Sequence, residues 1–116
     1  MEPSSLKYSD PGRASFAAAI SAREQNRIQE LPSILVSVAL YEENPELASS
    51  YCLSLVTHEN ENVRGNALLG LGHIARGFGH LPPEAMAAIF SGLNDNSEYV
   101  RGQASSAADD VQQFIG

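Results

Sequence analysis

Cys52 is the single cysteine of the chain, and the histidine nearest to it in sequence is His58. Six residues of helix turn two side chains about 240° apart, so these two do not form a nucleophile and base. Within Ser50-Tyr51-Cys52-Leu53 the thiol reads as a buried core group. His73 and His80 have the spacing of one helical face, but Gly77 and Gly79 interrupt the helix between them, so no metal site is expected. Gly70-Leu71-Gly72 and Gly77-Phe78-Gly79 follow no strand and make no phosphate cradle. Gly70 and Gly72 fall mid-helix, where small residues let helices approach closely. Glu42/Glu43 and Asp109/Asp110 are adjacent carboxylates on loops or solvated faces, and Gly-x-Ser-x-Gly does not occur. The side chains therefore point to binding rather than to catalysis, with no cofactor.

The elements that must position these side chains are helical. The chain has 116 residues, 43% apolar and 18% charged, which fits one globular domain able to build a core. One cysteine excludes a disulfide framework. Fourteen acidic against seven basic residues give a net charge of −7. Such a surface opposes nucleic-acid binding and attracts basic partners. No apolar run reaches membrane length. The stretch Met1 to Lys7 has no signal pattern, so a cytoplasmic location is expected. Alanine is abundant, and period-2 alternation is absent. Asp10-Pro11, Asn44-Pro45-Glu46 and Leu81-Pro82-Pro83-Glu84 read as helix starts. The pattern predicts helices over 11–24, 29–41, 45–57, 62–77, 83–93 and 98–114, after a loose arm at 1–9. Residues 10–116 then form the domain. Pro32 reads as the first turn of the second helix. Val63, Ala67, Leu71, Ile74 and Phe78 form one apolar stripe. Val100, Ala104, Ala107, Val111 and Phe114 form another, and Leu47, Tyr51, Cys52, Leu55 and Val56 a third. Gly77 and Gly79 supply a left-handed stop.

A shift of 37 residues aligns VTHENENVRGNA (56–67) with LNDNSEYVRGQA (93–104), five positions being identical, among them Val63-Arg64-Gly65 and Val100-Arg101-Gly102. A second shift sets Phe16 against Leu53, Glu24 against Glu61 and Arg27 against Arg64. Helical units recurring at this period mark an α-solenoid. The segment Leu93-Asn94-Asp95-Asn96-Ser97-Glu98-Tyr99-Val100-Arg101 resembles HEAT repeats. The resemblance implies an all-α solenoid of three stacked hairpins. It also implies a ladder between units, made by a loop aspartate and a second-helix arginine; Asp95 and Arg101 carry that pattern, and His58 stands at the aspartate's place one unit earlier. Arg64 and Arg101 lie near helix N-termini, against the helix dipole. Both therefore need carboxylate partners, and Asp95 is the best candidate for one.

Two surfaces are expected to bind. Glu59, Glu61, Asp95 and Glu98 fall in the turns inside the repeats and gather on one edge as an acidic rim, with Glu42, Glu43 and Glu46 on the opposite edge. By the resemblance, second helices line the concave face. That places Asn62, Asn66 and His73 beside Tyr99, Gln103 and Asp110, with Tyr99 as an aromatic anchor. Small acidic chains of this kind are similar to bacterial immunity proteins, which implies neutralisation of a basic, nuclease-type toxin. The other class the resemblance allows is an enzyme accessory or scaffold subunit, as in HEAT-like bilin lyases. Neither class implies a direct nucleic-acid or membrane partner.

Overall fold

The computed structural model describes residues 13–116, with side chains from Phe16 onward. The expected arm at 1–9 and the Asp10-Pro11 helix start lie outside the described residues. Six helices follow one another: α1 Arg13–Glu24, α2 Leu31–Tyr41, α3 Pro45–Leu53, α4 Glu61–Phe78, α5 Pro83–Gly92 and α6 Glu98–Phe114. The described residues contain no strand. Local capping chemistry sets most of the starts. The Asn44 side chain accepts from the Glu46 and Leu47 amides at 2.9 and 3.1 Å. Asn60 does the same for Asn62 and Val63, and Ser97 accepts from Val100. Pro32 sits in the first turn of α2 and Pro83 in that of α5, where a missing amide donor costs little. α4 ends at Gly79, whose left-handed φ of 69° suits glycine, and whose amide donates to the Ala75 carbonyl. Gly77 lies inside α4 and does not stop it.

α3 is shorter than its pattern. It ends at Leu53, and 54–57 run on as turns. The Ser54 hydroxyl donates to the Tyr51 carbonyl at 2.6 Å. Tighter bonds from Leu55 to Cys52 and from His58 to Leu55 then replace the helical pattern. α2 is short at its start, because turns occupy 25–30 and Asn26 takes φ 51°. The second 37-residue shift therefore fails at this end of the molecule. Glu24 closes α1 whereas Glu61 opens α4, and Arg27 bonds locally to Ser21, Gln25 and Glu30.

Each odd-numbered helix packs on the helix that follows it. α2 packs on α4 and α4 on α6, while α3 also touches both α2 and α5. The described chain measures 45 × 28 × 17 Å. α4 lies at the centre and buries residues on several sides: Val63, Ala67, Leu71 and Ile74 on the expected stripe, and Gly65, Leu68, Gly70, Gly72 and Ala75 off it. Small residues bring its neighbours close. A β-carbon on Gly72 would lie 2.8 Å from the Ala107 Cα, and one on Gly70 would lie 2.9 Å from the Cys52 sulfur. Tyr51 ties α1 to α3: its hydroxyl donates to the Ala19 carbonyl at 2.6 Å, Phe16 meets its ring edge-on, and Arg23 lies over it. Three stripe positions do not join the core. Phe78 and Phe114 are the last residues of α4 and α6 and are 43% and 39% exposed. Leu47 is 44% exposed because only the Ala48, Tyr51 and Cys52 side of α3 faces inward.

Candidate functional site

The edge formed by the α3–α4 and α5–α6 turns is organised by Arg64 and Asp95. The Arg64 Nε and Nη2 atoms donate to the two oxygens of the Asp95 carboxylate, each at 2.8 Å. This two-point geometry matches the planar guanidinium fork. The other end of the fork, Nη1, donates to the His58 and Glu59 carbonyls at 3.0 and 3.3 Å. Asp95 also accepts the Ser97 amide at 2.9 Å, so it fixes the α6 start as well as the ion pair. The hydrogen bonds from Arg64 hold the Asp95 carboxyl below the usual carboxylate range, and the Arg64 guanidinium is raised by the same partner. Asp95 thus serves Arg64, and Arg101 reaches only the Asp95 backbone carbonyl, at 2.9 Å.

His58 does in the α3–α4 turn what Asp95 does in the α5–α6 turn. Its Nδ1 accepts the Asn60 amide at 2.9 Å. That leaves the proton on Nε2, which donates to Asn26 at 2.6 Å. The turn is built the same way with an imidazole in place of a carboxylate, and the link to the preceding turn is uncharged.

The expected acidic rim divides into two pairs. Asp95 is consumed by Arg64, and the Glu61 carboxylate accepts the Ser97 hydroxyl. Glu61 and Glu98 are the first residues of α4 and α6 rather than turn residues. Glu59 and Glu98 are exposed, and neither has a salt bridge among the described residues. Glu59 lines an open cleft of about 660 Å³ between the two turns, with His58, Arg64, Ser91 and Asp95 also on its wall.

The stripe along the second helices is also partly structural. Asn66 on α4 donates to the Pro32 carbonyl of α2 at 3.1 Å. Its side-chain oxygen accepts from the Tyr99 hydroxyl and, at 3.0 Å, from Gln103, both on α6. The Tyr99 ring lies over Gly65, where a β-carbon would come within 2.7 Å of Cε2. These three side chains stitch α2, α4 and α6 together, and Tyr99 is still 41% exposed. Asn62 is exposed. His73 accepts a hydrogen bond from Arg76 at 2.6 Å, and Arg76 lies 3.8 Å from Asp110. Burial and then the Arg76 charge push the His73 imidazole towards its neutral form, against a smaller pull from Asp110. The stripe is therefore two clusters, Asn66–Tyr99–Gln103 and His73–Arg76–Asp110.

Arg76, Pro32 and Gly65 are members of these clusters that the sequence pattern did not assign to the stripe. Gly65 alone had a readable signal, as part of the Val-Arg-Gly match. Among the described residues no three His, Cys, Asp or Glu side chains converge as a metal-binding group, and no helix is long and apolar enough to cross a membrane. No protein-family model, curated protein or solved structure matches the chain.

Proposed function

We infer that the chain is a protein-binding module built as a short HEAT-type α-solenoid of three hairpins. On this proposal it neutralises a basic partner of the nuclease-toxin class by covering that partner's substrate cleft. The observation that carries it is the pair of exposed carboxylates, Glu59 and Glu98, on the turn edge. They have no cation of their own among the described residues, in a chain of net charge −7. Unpaired charge on one edge of an acidic body attracts a cationic surface and speeds encounter. The Arg64–Asp95 pair supports the proposal by holding both turns in fixed positions, so that little order is lost on binding. Tyr99 offers partly exposed aromatic area beside the charged edge. The packing order α2–α4–α6, with each odd-numbered helix on its successor, supports the solenoid description.

The test is inhibition. The full chain is used to capture its partner from the source cells, and nuclease activity of the purified partner is titrated with the chain. Loss of activity at one-to-one stoichiometry is expected, with weaker inhibition by Glu59→Lys and Glu98→Lys. Full partner activity in the saturated complex contradicts the occlusion mechanism.

A further inference from the structure

The start of α6 repeats the start of α4 at three positions, and the two copies differ only in whether they are occupied. In α4, Glu61 accepts the Ser97 hydroxyl, Arg64 grips the Asp95 carboxylate, and Gly65 leaves the room that the Tyr99 ring fills. All three are engaged by one short segment, Asp95-Asn96-Ser97-Glu98-Tyr99. The matching residues of α6 are Glu98, Arg101 and Gly102. Arg101 is set up in the same way as Arg64: its Nη1 donates to the carbonyl six residues back, as Arg64 does to His58. Its Nε and Nη2 have no hydrogen-bond partner among the described residues, and Glu98 has no side-chain partner there either. A β-carbon on Gly102 would meet no atom within 4 Å. Glycine is among the poorest helix formers, and inside α6 nothing in the described structure occupies the space it leaves.

We propose that Glu98, Arg101 and Gly102 form a docking seat for the start of a helix in another protein. The helix start that fits carries an aspartate, a serine or threonine two residues on, and an aromatic residue two further on. The aspartate would take the open two-point edge of Arg101, the hydroxyl would donate to Glu98, and the ring would lie over Gly102. Charge complementarity and the occupied copy on α4 both specify this occupant. A second copy of this chain is not the occupant. The pattern occurs in the sequence only at Asp95-Asn96-Ser97-Glu98-Tyr99, which α4 already holds. The seat shares Glu98 with the acidic edge, but Arg101 and Gly102 belong to the seat alone, so variants of those two test it separately.

The probe is a phage-displayed library of helical hairpins randomised over one helix start, selected against the full chain. Enrichment of the aspartate, hydroxyl and aromatic pattern is expected, and it should vanish against Arg101→Gln. In a selected hairpin, changing the aspartate to asparagine should weaken binding by about tenfold. Gly102→Ala separates seat from fold: the folded chain should melt no lower than the parent, because the added methyl meets nothing, yet the selected hairpin should bind it less tightly. Failure to enrich the pattern overturns the proposal, as does a pattern that survives Arg101→Gln.

Discussion

Asp95 combines a two-point bond to Arg64, a bond from the Ser97 amide, and a backbone carbonyl that receives Arg101. Asp95→Asn keeps the shape and removes the charge. It should cost about 1.5–3 kcal/mol, the range for hydrogen bonds to charged groups, measured as a shift in urea midpoint. Its pH dependence follows in sign. The folded carboxyl is held below the ordinary value of 3.8, so the folded state releases this proton more readily than the unfolded one. The stabilisation is complete above that ordinary value and disappears as pH falls through the lowered folded value. Urea midpoints followed down to about pH 2 should therefore drop less steeply in Asp95→Asn than in the parent. Cys52 behaves in the opposite way, because complete burial pushes its thiol up to about 12. Little thiolate forms near neutral pH, and the sulfur is covered. A thiol reagent should label Cys52 only at the rate of unfolding, and labelling as rapid as in denaturant would contradict its burial.

α4 is the element on which the others depend, since α2, α3, α5 and α6 all pack against it. Leu71 is fully buried there, and Leu71→Ala should cost about 2–5 kcal/mol through the cavity left behind. Two glycines of the same helix should respond with opposite signs. Gly72→Ala drives a methyl against the Ala107 backbone and should destabilise by about 1–3 kcal/mol, because α4 and α6 must move apart. Gly77→Ala meets nothing within 4 Å and should stabilise by up to about 1 kcal/mol through helix propensity. Thermal melts of the two variants would decide both. Helix starts were legible because an asparagine or serine cap acts over three residues, as at Asn44, Asn60 and Ser97. Asp95 was legible as the partner of one of the two arginines, but that it serves Arg64 while Arg101 reaches only its backbone carbonyl was not. The end of α3 was not legible, since it turns on a hydroxyl bond from Ser54. The exposure of Phe78 and Phe114 was not either, because periodicity assigns a face but does not say where the opposing layer stops. Within the expected binding surfaces, the repeat register and the HEAT resemblance placed Asn66, Tyr99 and Gln103 together. They did not reveal that these side chains bond one another.

At the scale of the whole molecule, the described residues form a slab 17 Å thick, with a cleft and two unpaired carboxylates on one edge. Net charge sets a long-range field, whereas Glu59 and Glu98 set where on the surface it acts. Tyr99→Ala should change binding differently from the carboxylates, mainly by raising the dissociation rate, since close packing is lost after encounter. It should also loosen the link to Asn66, so its melting temperature must be read alongside its kinetics. The most direct test of the proposed function is the association rate with the captured partner, measured by surface plasmon resonance at two ionic strengths for the parent and for Glu59→Lys with Glu98→Lys. The double variant should associate more slowly than the parent, by a margin that narrows at high salt. Equal association rates at both salt concentrations would contradict a binding edge made by Glu59 and Glu98.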